Sequence, residues 1–261
     1  MKYALRALRW TTIIFWLYFA FLSLTVVYSA FNVRVETGES QFFIEDDKIV
    51  WAMPFMINNA GFYDIYDLNM TSIVEDADGT VLIKNSSFNP VIPKEKQSIL
   101  WHNVSINFKE MPNYEIYLTH DSNFTVKHLI SLNYAKIIPF SLLFNSTMLW
   151  GAPLYNLSIG DPTFHSFNAT HSKVSFNVSF ENHSPYIELN GTMEVKILNE
   201  NGEVIGVAEE SFYAPSGSSW KETIEILVAN TVEVTDYVTI KATFKTSMFS
   251  YEMEARRRLS S

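Results

Sequence analysis

The chain changes its hydrophobic rhythm once. From Trp10 to Ala30 it reads WTTIIFWLYFAFLSLTVVYSA, 21 positions without a charge. At 1.5 Å per residue such a run predicts a helix of about 30 Å, the thickness of a bilayer's hydrocarbon core. Beyond residue 31 helical periodicity is weak and apolar residues recur at every second position. KVSFNVSFE (173–181), TIEILV (223–228) and YVTIKATF (237–244) each alternate apolar and polar side chains, as strands with one buried face do. A short helix or loop is expected between Phe108 and His120, with Pro112 near its start.

The alternation repeats. Displacing the chain by 123 residues aligns 37–82 with 160–205 without a gap. Trp51, Met53, Phe55 and Ile57 then fall on Val174, Phe176, Val178 and Phe180; Asn59 falls on Asn182, Tyr63 on Tyr186 and Gly79 on Gly202. After a one-residue slip Pro93 matches Pro215, and the alternation resumes in Leu100–Phe108 and Ile224–Val228. The expected fold is all-β: two tandem immunoglobulin-like (fibronectin-III-like) β-sandwich domains behind one transmembrane helix. The expected boundaries are a basic cytoplasmic flank (1–9), a transmembrane signal-anchor (10–31), a first sandwich (32–149), a second (150–256) and a tail (257–261). The first unit carries extra material from Pro112 to Phe144. It includes NFTVKHLISLNYAKIIPFSLLF, which Lys127, Asn133, Lys136 and Pro139 interrupt too often for a second span.

Charge orients the anchor. Of the 19 basic residues, Lys2, Arg6 and Arg9 precede the apolar run and no acid does, while Glu36 and Glu39 follow it. The positive-inside rule leaves the N-terminus in the cytoplasm and the body outside a cell membrane crossed once. A cleaved signal peptide is the competing reading; the run exceeds a signal h-region and no A-x-A-like site follows, which favours an uncleaved anchor. The net charge is −9, and −12 without the first nine residues, which argues against nucleic acid as a partner. Arg256-Arg257-Arg258 reads as a solvated end. Cysteine is absent, so disulfides, thiolate metal sites and cysteine nucleophiles are excluded.

Ten Asn-x-Ser/Thr acceptors begin at Asn69, Asn85, Asn103, Asn123, Asn145, Asn156, Asn168, Asn177, Asn182 and Asn190. Asn103 and Asn177 take the outward parity of their strands, where a glycan fits. These ten are the candidate glycosylation sites.

The stretch SFENHSPYIELNGTMEVKILNENGEVIGVAEESFYAPSGSSW and its earlier counterpart MINNAGFYDIYDLNMTSIVEDADGTVLI share one order of parts. A strand ends in Asn; a loop, a strand, an Asn/Asp-Gly hairpin, a strand, a Pro-containing turn and another strand follow. This order resembles the water-stress and hypersensitive-response domain of group-2 late-embryogenesis-abundant proteins, across most of both repeats. The family usually places Asn-Pro after the first strand; here stand Asn182-His183-Ser184-Pro185 and Asn59-Ala60-Gly61. The resemblance implies a β-sandwich without catalytic residues and a link to dehydration stress.

Catalytic signals are few. Glu75-Asp76-Ala77-Asp78-Gly79 could open a calcium loop, but the twelfth position from Asp76 is Ser87, where such a loop needs Glu. The aligned text of the second repeat, Asn199-Glu200-Asn201-Gly202, keeps only what a hairpin tip requires. His102, His120, His128, His165, His171 and His183 show no zinc spacing, and His102 has the inward parity of a strand. The neighbours Asp46-Asp47 and Glu209-Glu210 would point to opposite faces of a strand. Two aromatic groups, Phe62, Tyr63, Tyr66 and Trp101, and Tyr186, Tyr213 and Trp220, are candidate binding faces or core. No catalytic, cofactor or metal residue is assigned. The expectation is a non-enzymatic, membrane-anchored surface glycoprotein with a stress- or envelope-related binding role. Its partners are the bilayer through 10–31 and an envelope protein or glycan. The alternative is a subunit of a surface fibre or layer that adds a strand to its neighbour, from the N-terminal region or residues 137–149.

Overall fold

The computed structural model describes residues 2–231 and 236–259. Helix α1 spans Lys2–Ala30 and is long and apolar enough to cross a membrane. It takes in the basic flank expected as a separate segment, because Ala4, Leu5, Arg6, Ala7 and Leu8 are all strong helix formers.

The strands follow in two runs. The first contains β1 (Val33–Thr37), β2 (Gln41–Glu45), β3 (Lys48–Asn59), β4 (Ile65–Glu75), β5 (Val81–Ile92) and β6 (Lys96–Ile106). A 3-10 turn (Phe108–Glu110) and helix α2 (Tyr114–Thr119) come next, then β7 (Ser122–Tyr134) and β8 (Ile138–Trp150). The second run contains β9 (Tyr155–Ile159), β10 (Thr163–Ser166), β11 (His171–Glu181), β12 (Leu189–Leu198), β13 (Val204–Ala214), β14 (Ser219–Ala229), β15 (Tyr237–Thr246) and β16 (Ser250–Arg258). They form four antiparallel sheets. In the first half β3 lies between β6 and the pair β1/β2, and a second sheet runs β5-β4-β7-β8. In the second half β11 lies between β14 and the pair β9/β10, and the other sheet runs β13-β12-β15-β16.

The strand order therefore repeats, and so does the register. Val74 faces Ile83 and Ile197 faces Gly206, with the same irregularity one residue later in both copies. The slip lies in the next turn: Ile49 pairs with Ile106, whereas Ser172, its counterpart by the 123-residue shift, pairs with Val228. Alternation is the cause. Val174, Phe176, Val178 and Phe180 are buried while Asn177 between them is exposed. A shift of one residue would turn that row to solvent.

The two halves share one continuous apolar core. The extra segment between β6 and β7 joins them. Phe108 meets Trp150 at 5.7 Å and Phe249 at 5.6 Å, and Tyr114 donates to the carbonyl of Ser250. Phe42 of β2 stacks on Tyr186 at 4.1 Å.

Two further sequence expectations change. Asp46 and Asp47 sit in the β2–β3 turn, both with positive φ, and not on a strand. The arginines of the supposed tail belong to β16. Arg256 pairs with Glu200 at 2.9 Å and Arg257 donates to the carbonyl of Ile159, so the end is held by partners that sequence spacing does not reveal. Ser260 and Ser261 of that tail lie outside the described residues. The apolar stretch 123–144 forms most of the long β7–β8 hairpin; β8 is the sheet edge and leaves Phe140, Leu142 and Leu143 exposed.

Candidate functional site

An open cleft of about 1130 Å³ lies where the halves meet. One wall is the tip of the β4–β5 hairpin. Asp76 accepts from the backbone N–H groups of Asp78 (3.0 Å) and Thr80 (2.8 Å) through one carboxylate oxygen, and from the hydroxyl of Tyr117 (3.0 Å) through the other. Gly79 supplies the positive φ that closes the turn. Burial alone would raise the pKa of Asp76; the N–H of Thr80, the Tyr117 hydroxyl and the N–H of Asp78 outweigh it and hold the carboxyl below its usual range. Burial, reinforced by Asp76, pushes the Tyr117 phenol up to about 12. The second hairpin repeats the design without charge: Asn199 accepts from the N–H groups of Asn201 (3.0 Å) and Glu203 (2.9 Å), and Gly202 has positive φ. The stretch is a hairpin tip in both copies, and only the first carries the acidic triplet.

The opposite wall centres on His183. Its Nδ1 lies 2.9 Å from Asp121 and its Nε2 lies 3.0 Å from Glu181, while its ring stacks on Tyr155 at 4.0 Å. The Asp121 contact outweighs the opposing effect of burial and, with the lesser help of Glu181, raises the imidazole above its ordinary value. Asp121 also accepts from the N–H of Ala152 at 2.8 Å, so one side chain ties the start of β7, the connection after β8 and the loop after β11. Gly151 permits this closeness, since a Cβ there would stand 2.0 Å from the carbonyl oxygen of His183. With both ring nitrogens engaged by carboxylates, this imidazole has no lone pair free to accept a proton from a ligand. The cleft is therefore lined by carboxylates at Asp76, Asp78 and Asp121, together with the largely buried rings of Tyr117 and Trp150. That chemistry suits a cationic or hydroxyl-rich ligand.

A second polar feature crosses the interior of the first half. Ser87, His102, Ser72, His128 and Ser146 form one hydrogen-bonded chain with links of 2.8, 2.8, 2.8 and 2.9 Å. Burial, with a contribution from His128, lowers His102 to about 4, and burial lowers His128 too, so both rings are neutral. Trp51 packs edge-on against His128 with its indole N–H buried and unpaired.

The sequence candidates distribute unevenly. Asn103, Asn123, Asn145, Asn156, Asn168, Asn177 and Asn190 are exposed; Asn69 and Asn85 are half-buried. Asn182 is fully buried and its amide nitrogen donates to the carbonyls of Ile187 (2.8 Å), Ala214 (3.0 Å) and Pro215 (3.2 Å). That nitrogen, the atom a glycan would occupy, faces the interior. Phe62, Tyr63 and Tyr66 come together around a small cavity at the base of the first half, and Trp101 lies elsewhere, opposite Pro54 on β6. Tyr186 belongs to the junction, Trp220 stacks on core Phe180 at 5.3 Å, and Tyr213 is exposed beside Glu188. His102 is buried, as its parity indicates. The Asp121–His183–Glu181 group escaped sequence reading because Asp121, just before β7, lies 62 residues from His183 and apart from the Glu181–His183 segment at the end of β11; its trace was the replacement of Asn-Pro by Asn182-His183-Ser184-Pro185.

No family model matches the chain, and no curated protein matches it. Solved structures share parts of its outline. Red sea bream transglutaminase aligns with 88% of this chain and 31% of its own at 11% identity and a TM-score of 0.31. A β-glucuronidase of glycoside hydrolase family 2 aligns with 78% of this chain and 24% of its own at 14% identity and a TM-score of 0.32. A structure titled pT26-6p aligns with 91% of this chain and 68% of its own at 10% identity and a TM-score of 0.35. The chain thus spans about a third and a quarter of the first two proteins it is similar to.

Proposed function

We propose that this is a single-pass membrane protein that displays two tandem immunoglobulin-like β-sandwich domains outside the cell and binds an envelope component in the cleft between them. The observation that carries the reading is the end of α1: Val26 and Ser29 of a bilayer-length helix are buried in the first half, so anchor and body form one unit. The body is acidic and the start of the helix, before its uncharged run, is basic, which supports an N-terminus in the cytoplasm. The exposed acceptor asparagines support a glycosylated surface. Carboxylates beside Tyr117 and Trp150 support a cationic or hydroxyl-rich envelope ligand. The role proposed is binding, a reading supported by His183, the histidine of the cleft, having both ring nitrogens occupied. The resemblance to water-stress domains makes dehydration the condition under which to seek a phenotype. Protease applied to intact cells should remove the body and leave α1 in the membrane; a body protected from protease would refute the orientation.

A second reading has its own observation. Strand β8 is an unpaired sheet edge rich in exposed apolar residues, a template for strand addition in a fibre or layer. Native protein extracted in mild detergent would then run as a ladder of oligomers; a monomer or dimer would exclude the fibre.

A further inference from the structure

One face of the last turns of the uncharged run in α1 is covered by protein, while Leu24, Val27 and Tyr28 stay exposed. Ser29 is fully buried and Val26 is 5% exposed, whereas Trp10 and the residues from Ile13 to Phe19 are open. The cover is the base of the first half. The Ser29 hydroxyl bonds to that of Tyr134 and accepts from the N–H of Phe62. The Thr25 hydroxyl lies 3.3 Å from that of Tyr63, and Tyr28 stacks on Phe62 at 6.2 Å. Gly61 makes the fit possible, since a Cβ there would stand 2.3 Å from the Tyr134 hydroxyl. If Trp10–Ala30 fills a core about 30 Å thick, Thr25–Ser29 lies in its outermost ~8 Å. The groups that cover those residues stand at the same depth.

We propose that the base of the first half is sunk into the outer interfacial layer of the bilayer that α1 crosses, with Phe62, Ile137, Ile138 and Phe140 against lipid. The inference rests on the membrane-anchor reading and adds where the body sits. Ile137, at the tip of the β7–β8 hairpin, is 70% exposed, and Ile138 and Phe140 continue the apolar surface along β8. A contiguous apolar patch of this kind marks a contact surface. Its rim has interfacial chemistry: Tyr63, Tyr66 and Tyr134 lie beside it, and the Lys136 ammonium folds back to 4.5 Å from the centre of the Tyr66 ring. The bilayer is the occupant, and not a second copy, because the hairpin that carries the patch also holds the end of the spanning helix.

The absence of cysteine allows a clean test. Leu17→Cys, Ile137→Cys and Val207→Cys are made singly in the full-length protein, labelled with an environment-sensitive fluorophore and placed in phosphatidylcholine nanodiscs with or without bromine on the acyl chains. Val207 is an exposed control on β13 and Leu17 a control within the helix. Bromine should quench the labels at 17 and 137 and spare that at 207. Quenching at 17 with position 137 as bright as 207 would overturn this inference and leave the anchor intact. No quenching at 17 would overturn both. An emission shift at 137 that depends on the number of copies per disc, and not on bromine, would assign the patch to a second copy and overturn the inference.

Discussion

Asn182 reproduces Asn59 at a distance of 123 residues, in the same hydrogen-bonding role. Each ends a central strand with its side chain fully buried. Asn59 donates to the carbonyls of Tyr63 and Ile92 and accepts from the N–H of Gly61; Asn182 donates to Ile187, Ala214 and Pro215 and accepts from the N–H of Ser184. One amide thus closes the loop after the strand onto the turn that follows the hairpin. Truncation leaves buried carbonyls and an N–H without partners, at about 1–3 kcal/mol per group where water cannot replace the bond. Asn182→Ala is expected to cost about 3 kcal/mol and Asn59→Ala about 2 kcal/mol. Denaturant melts of the two variants check this; losses below about 0.5 kcal/mol at both sites would show that the corner is not structural.

The same geometry sorts the glycosylation sites. Glycopeptide mass spectrometry of protein from its native host is expected to find sugar on Asn103, Asn145 and Asn177, which face solvent. Asn182 is expected bare, since a glycan on its amide nitrogen would displace all three carbonyl bonds. Sugar on Asn182 in the folded protein would contradict this corner, and bare peptides throughout would remove the surface-glycoprotein reading.

The buried His102–Ser72–His128 chain sets an acid limit. His102 titrates near 4 in the folded protein and near 6.5 when unfolded. Between these values the unfolded chain binds the proton and the folded one does not, so stability is full above about 6.5 and falls as pH drops toward 4. A shift of this size corresponds to about 3 kcal/mol. His183 acts in the opposite sense: its raised value adds stability that is complete below the unfolded value and is lost as pH rises through the folded one. Melting temperatures across pH 4–8 check both. In His102→Gln the acid loss should shrink, and in His183→Gln the loss on the alkaline side should vanish; unchanged profiles would refute the assignments.

Gly151 carries the junction between the halves. Gly151→Ala forces a methyl group against the His183 carbonyl, where the connection has no room to give, at an expected cost of about 2–3 kcal/mol. The loss should fall on the contact, so calorimetry is expected to show a single transition for the native chain and two for the variant. Two transitions in both would mean that the shared core does not couple the halves.

What was legible in the sequence follows from what is periodic. The inward parity of Val174–Phe180, the turn glycines Gly79 and Gly202 and the one-residue slip each leave a local mark, and all recur in the strand register. The long apolar helix was equally plain, because 21 uncharged residues outlast any core strand. The cleft was not legible. Asp121, His183 and Glu181 meet only after β7 and β11 take their places, and no spacing rule links them. The Arg256–Glu200 pair was hidden for the same reason: a charge run at the end of a chain carries no sign of the partners that the sheet brings to it.

The β7–β8 turn offers a test in the stabilising direction. Its first two residues, Ala135 and Lys136, both have positive φ (54° and 60°), and Ile137 N–H bonds back to the Tyr134 carbonyl at 3.1 Å. Tyr134 pairs with Ile138 across a three-residue loop, and its first two positions favour Asn and Gly, because side chains with a Cβ lose about 1 kcal/mol in the left-handed region. The double change Ala135→Asn and Lys136→Gly should relieve most of that strain. It also deletes the contact of Lys136 with the Tyr66 ring, which contributes about 0.5–1 kcal/mol at an exposed site. The net gain expected in detergent is therefore about 1 kcal/mol, seen as a higher Tm with no change in oligomeric size. A lower Tm would mean that the hairpin tip is held in its present shape by contacts stronger than its own strain.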